Sequence, residues 1–173
     1  KPPLVEITGR QFEWRLRYAG ADGKIATPDD VHGVNELHIP VDEDVVVVLK
    51  SQDVLHSFFL PNLRLKQDIV PGMKQFMWFR ATRVGTYDIV CAELCGWGHY
   101  KMRGRLVVES RKDFDRWLQA EFDEQHRVQY SPSGTDNEFL YMIFALAEGI
   151  CESCESIYID DKLVTWSGTL TDG

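Results

Sequence analysis

The sequence predicts an all-β fold, a Greek-key sandwich or barrel, closed by one C-terminal helix. Three observations carry that prediction. Short runs rich in Val, Ile, Phe, Trp and Tyr recur along the first two-thirds of the chain, with Gly, Pro and Asp between them. Strands at such spacing are the pattern of a sandwich or barrel. The run Val45-Val-Val-Val-Leu49 is apolar at consecutive positions, as a strand buried on both faces is. Beyond residue 110 the apolar period changes to that of a helix.

Taken in order, Leu4 to Tyr18 alternates apolar and polar residues on both sides of Gly9 and predicts two strands. Gly20 to Gly33 is a loop by its Gly, Pro and Asp content, and its acids do not follow a calcium-loop spacing. Val41 to Lys50 predicts a strand leading to Ser51 and His56. Gln75 to Ala81 and Thr86 to Val90 predict two more, joined by a turn at Arg83-Val-Gly85. Arg103 to Glu109 predicts the last. Ser110 and Asp113 then resemble a capping box, with Asp in place of the usual Glu or Gln. Phe114, Trp117, Leu118 and Phe122 follow at helical spacing, a stripe expected to pack on the barrel.

Residues 1–127 are read as one domain with its C-terminal helix, and 128–173 as an extension of unassigned structure. Within it, 131–137 has a linker's composition. The apolar stretch 139–150 is too short to cross a bilayer and is expected as a buried or interface helix. Cys151-Glu-Ser-Cys154-Glu155 lacks the histidine of a C-x-x-C-H haem attachment site, so haem is not expected there. A disulfide or partial metal binding by this pair stays open.

Composition bounds the partners. The formal net charge of −8 argues against nucleic acid and anionic membrane surfaces, and favours a basic partner. No apolar run approaches the roughly 20 residues that span a bilayer.

One stretch concentrates the chemistry: Cys91-Ala-Glu-Leu-Cys95-Gly-Trp-Gly-His99-Tyr-Lys-Met102. A C-x-x-x-C pair by itself reads as a disulfide or half a zinc site. Thiolate, imidazole and thioether together form a soft ligand set suited to copper, zinc or iron–sulfur. The methionine points to copper, because thioether is a poor zinc ligand and a common weak axial ligand of copper. Two cysteines on one loop can set both sulfurs between two metal ions. Each ion then needs a histidine, and His56, in Asp53-Val-Leu-His56, is the best second candidate.

The loop C-A-E-L-C-G-x-x-H-x-x-M, with D-V-L-H-S before it and L-K-Q-D-I-V-P-G between, resembles the CuA domain of cytochrome c oxidase subunit II. The resemblance runs from about Val5 to Trp117. It implies a cupredoxin-like fold and a dinuclear copper centre. Carried over by position, Cys91 and Cys95 bridge two coppers, His56 and Met102 complete one, and His99 completes the other. The Glu93 carbonyl becomes the weak axial ligand of that second copper. The Glu93 side chain is implied to hold magnesium shared with the catalytic subunit, and only in the full complex. Electrons are implied to come from cytochrome c and to pass to the haem-bearing subunit I, which reduces oxygen.

The family carries an aromatic residue for electron uptake in its first hairpin. Here the segment is Gln11-Phe12-Glu13-Trp14, with Phe12 in the usual tryptophan place, so Phe12 and Trp14 are both candidates. Strand alternation is expected to put them on one face. Asp53 is the candidate docking charge for a basic cytochrome c. Such proteins carry membrane helices ahead of this domain. The chain is therefore expected to be a soluble piece whose anchor is missing, at the periplasmic face of the bacterial inner membrane or in a mitochondrial intermembrane space. Two alternatives stand beside this reading. One is the CuA domain of a nitrous oxide reductase-like enzyme, disfavoured because that family has tryptophan where Glu93 stands. The other is a zinc-binding β domain without redox activity.

Overall fold

The computed structural model describes residues 1–126, together with the strands Ile157–Ile159 and Lys162–Val164. Two compact units divide the chain, Lys1–Arg127 and Val128–Gly173. The first contains β1 (Val5–Arg10), β2 (Glu13–Tyr18), β3 (Val31–Val34), β4 (Glu36–Pro40), β5 (Asp44–Ser51), β6 (His56–Leu60), β7 (Leu65–Ile69), β8 (Gln75–Arg80), β9 (Gly85–Cys91), β10 (Arg103–Glu109) and α1 (Arg111–Gln125). In the second, β11 (Ile157–Ile159) and β12 (Lys162–Val164) pair antiparallel. The expectations for the apolar stretch 139–150 and for Cys151 and Cys154 lie outside the described residues. Among those residues no helix is long and apolar enough to cross a membrane.

The first unit is the expected β-sandwich. Its sheets have strand orders β3-β2-β1-β5-β8 and β4-β10-β9-β6-β7. Parallel pairings of β1 with β5 and of β10 with β4 close crossovers that a simple meander lacks. The inner faces supply Ile7, Trp14, Tyr18, Leu37, Ile39, Leu49, Phe58, Leu60, Ile69 and Ile89, all buried. Helix α1 packs across β3 and β4, the edge strands on one side of the sandwich. Its start is capped as expected: the Ser110 hydroxyl accepts from the Asp113 amide. The stripe does pack on the sandwich: Phe114 is buried and Trp117 stacks on His38 at 3.8 Å. Gln125 donates to the His32 carbonyl and accepts from its amide, so the helix covers the β3 edge that would otherwise invite pairing.

The structure differs from the sequence reading in three places. Gly9 does not divide two strands: it lies inside β1, opposite Trp14, and the hairpin turns at Gln11 and Phe12. Glycine stands at position 9 because a Cβ there would meet His56 Cδ2 at 3.0 Å and Trp14 Cζ3 at 3.3 Å. The loop after β2 ends earlier than expected, at β3. Between β3 and β4 Asn35 takes a left-handed φ of 60° as the chain passes from one sheet to the other. Finally β4, β6 and β7 were not foreseen, because each is short and neither β6 nor β7 alternates cleanly between apolar and polar residues. Strand β6, His-Ser-Phe-Phe-Leu, is buried at nearly every position, so it shows no alternation to detect.

Candidate metal centre

The pairing of β6 with β9 sets Phe58 opposite Cys91. That register brings His56, the first residue of β6, beside the last residue of β9. The chain then leaves the sheet in the ligand loop and returns as β10, with the Cys91 amide bonded to the Met102 carbonyl at 3.1 Å. A β-bond therefore closes the loop at its base, and all its donor side chains crowd into one end of the sandwich.

The donor distances follow. Cys91 Sγ and Cys95 Sγ stand 3.9 Å apart. His56 Nδ1 lies 4.0 Å from Cys91 Sγ, and His99 Nδ1 lies 3.6 Å from Cys95 Sγ. Met102 Sδ is 3.8 Å from Cys95 Sγ, and the Glu93 carbonyl oxygen is 3.2 Å from Cys91 Sγ. Donors sharing one ion at about 2.0–2.3 Å, at angles between tetrahedral and trigonal, stand about 3.5–4 Å apart. The sulfur and nitrogen atoms meet that condition. The ligand atoms of His56, Cys91 and Cys95 all lie within 4.8 Å of one another, a cluster that can hold a metal. Cys91, Cys95, His56 and Met102 are buried, so water does not compete freely for the site.

Electrostatics prepares the donors unequally. Burial raises the Cys91 thiol, but hydrogen bonds with His56, the Ser57 and Glu93 backbone and His99 outweigh it and bring the pKa below the usual thiol value. Cys95 moves the other way, raised by burial and by the neighbouring Cys91 charge. One thiolate is thus stabilised by the fold, while the second proton leaves when a cation arrives.

Asp53 does something other than the sequence reading expected. Its Oδ1 accepts from His56 Nε2 at 2.8 Å and from the Val54 amide at 2.7 Å, and its Oδ2 accepts from the Gln11 amide at 2.7 Å. Burial works against that carboxylate, yet those bonds outweigh it and hold its pKa low. A carboxylate can only accept here. The His56 proton therefore sits on Nε2, and the Nδ1 lone pair faces the sulfurs. Both Asp53 oxygens accept bonds inside the molecule while the residue stays exposed, so beside the charge it presents to solvent it orients His56.

Nor does the structure place Phe12 and Trp14 together. Phe12 lies in the turn, outside the alternation of β2. Trp14 is fully buried, 5.3 Å from the Phe58 ring and 6.2 Å from that of His56. No docking protein can touch it. Phe12 packs beneath the ligand loop, where a Cβ on Gly98 would come within 2.4 Å of its Cδ2. Two contributors escaped the sequence reading. Gln11 Nε2 donates to the Cys95 carbonyl at 2.5 Å, tying the first hairpin to the loop. Trp97, between Cys95 and His99, is 79% exposed. No local pattern signals either: Gln11 lies 84 positions from Cys95, and the exposure of Trp97 is set by the fold around it.

Comparisons with known proteins identify the family. Residues 5–110 match the profile of the cytochrome c oxidase subunit II periplasmic domain. The alternative cytochrome c oxidase subunit 2 of Bradyrhizobium diazoefficiens is 40% identical over 139 residues, covering 68% of this chain and 50% of that protein. Cytochrome c oxidase subunit 2 of Thermostichus vulcanus is 44% identical over 114 residues, covering 66% of this chain and 32% of that protein. The chain thus spans half or less of the length of these curated relatives. The crystal structure of the periplasmic domain of cytochrome oxidase subunit II from Bradyrhizobium japonicum superposes with a TM-score of 0.63 at 26% identity, covering 72% of this chain and 96% of that one. With a two-sheet sandwich, a soft-donor cluster at one end and a profile match across the whole described sandwich, this chain belongs to the cytochrome c oxidase subunit II family, through its periplasmic domain.

Proposed function

We propose that this chain is the electron-accepting domain of a haem–copper oxidase and that its loop holds a dinuclear copper centre. The observation that carries this reading is the pair of buried thiols 3.9 Å apart, each with its own imidazole within 4.0 Å. Cys91, Cys95, His56, His99, Met102 and the Glu93 carbonyl would hold the metals. When bound, two coppers joined by two thiolates share one added electron, so reduction displaces few atoms.

The chain's own residues supply the rest. Asp53 keeps the His56 proton on Nε2, Gln11 holds the Cys95 carbonyl, and Trp14 and Phe58 wall the inner side against water. Rigid support of this kind holds ligands at one geometry in both charge states. The donor is a basic cytochrome c, consistent with the net charge of −8. The acceptor is the haem-bearing subunit I, and the Glu93 carboxylate contributes to a magnesium site formed only with that subunit. The parent protein is anchored in the bacterial inner membrane with this domain on the periplasmic face.

Metal analysis with a visible spectrum tests the reading. Two coppers per chain and a purple mixed-valence spectrum are expected. One copper per chain, or a colourless protein that prefers zinc, would refute it.

A further inference from the structure

We propose that electrons reach the metal centre through Trp97, and not through Phe12 or Trp14; this rests on the function proposed above. Trp97 is joined to Cys95 through Gly96 and to His99 through Gly98, so an unbroken covalent path leads from its ring to a donor residue on either side. Its 79% exposure puts the ring where another protein's surface meets it. Leu94 and Tyr100, on the same loop, are 76% and 66% exposed and extend an apolar contact around it. Phe12 is partly buried against the core, and Trp14 is sealed within it.

The ring is also held still. Phe12 meets it edge to face with centroids 5.1 Å apart. Lys101 Nζ sits 5.7 Å from the Trp97 centroid and 5.5 Å from that of Tyr100. Glycine on both sides of Trp97 makes the support possible, since a Cβ at Gly96 or Gly98 would come within 3.2 or 2.4 Å of the Phe12 ring. The phenylalanine at the family's tryptophan position thus serves as a platform for a tryptophan on the ligand loop. The matching partner is a one-electron carrier whose redox group lies at an apolar, exposed rim. One electron leaves that carrier's ferrous haem and arrives at the copper pair. Trp97 undergoes no net change, and no bond is made or broken.

The test uses the whole chain, metal-free and copper-loaded, with cytochrome c as the protein partner and hexaammineruthenium(II) as a small reductant. Trp97→Ala should slow reduction at saturating ferrocytochrome c by about tenfold, which is about 1.4 kcal/mol in the barrier to transfer. It should also weaken calorimetric binding of cytochrome c to the metal-free chain. The visible spectrum and the ruthenium rate should not change. Trp97→Phe should recover most of the loss, and Trp78→Leu, which removes another exposed tryptophan, should change nothing. An unchanged saturating rate in Trp97→Ala, with or without weaker binding, would overturn the proposal, and so would a loss confined to Phe12→Leu. A parent chain that ruthenium cannot reduce, or that lacks the purple spectrum, defeats the proposed function itself.

Discussion

Replacing Asp53 by Asn separates an orienting role from a docking role. The change removes one charge and almost no volume. Asp53 now accepts from three N–H groups: His56 Nε2 at 2.8 Å and the amides of Val54 and Gln11, each at 2.7 Å. An asparagine offers one accepting oxygen and one donating NH2. If the NH2 faces His56, the imidazole must accept at Nε2 and carry its proton on Nδ1, where the metal binds. If it faces the Gln11 amide, two donors confront each other at hydrogen-bond distance, and that exposed amide must turn to water instead. Removing an orienting partner of a metal-bound histidine typically weakens metal affinity about 10–100-fold. That range corresponds to about 1.4–2.7 kcal/mol. Competition against a chelator of known copper affinity, run on parent and variant at one pH, measures it. Thermal unfolding of the metal-free forms isolates any general loss of stability. Copper affinity unchanged in Asp53→Asn, with only a lower association rate for cytochrome c, would refute the orienting role and restore the docking role.

Three other outcomes are expected. Met102→Leu keeps the buried volume near Cys95 but removes a weak soft donor, so copper should stay bound while the reduction potential shifts; complete loss of copper would show the thioether to be a primary ligand. Gly98→Ala drives a Cβ into the Phe12 ring, and overpacking of this kind costs about 1–3 kcal/mol, to be read from urea unfolding together with a changed copper spectrum. Phe114→Ala empties a fully buried site between α1 and the sandwich and should lower stability by about 3–5 kcal/mol by urea unfolding; a loss under about 1 kcal/mol would mean the helix is not part of the cooperative unit.

The ligand loop was legible in the sequence because its chemistry is local. Cys91, Cys95, His99 and Met102 lie on one short stretch, and one sheet-closing bond from the Cys91 amide to the Met102 carbonyl suffices to gather them. The cap at Ser110 and the stripe along α1 are local too, and both were read correctly for that reason. His56 was reachable only as a candidate, since a residue 35 positions upstream of Cys91 is brought near by strand pairing alone.

Tertiary structure decided the rest. Period-two patterning says which face of a strand is buried but not which strand lies beside it. Strands β8 and β9 are consecutive in the chain yet sit in different sheets, and β1 pairs in parallel with β5. Those choices depend on how both faces are covered at once. The same limit hid the second layer of the site. Asp53 reads as a surface acid until His56, Val54 and Gln11 converge on it. Phe12 and Trp14 read as neighbours on one face until the hairpin turns between them. One then supports Trp97 at the surface while the other is sealed beside His56, because a side chain's exposure is set by everything packed around it and not by its own segment.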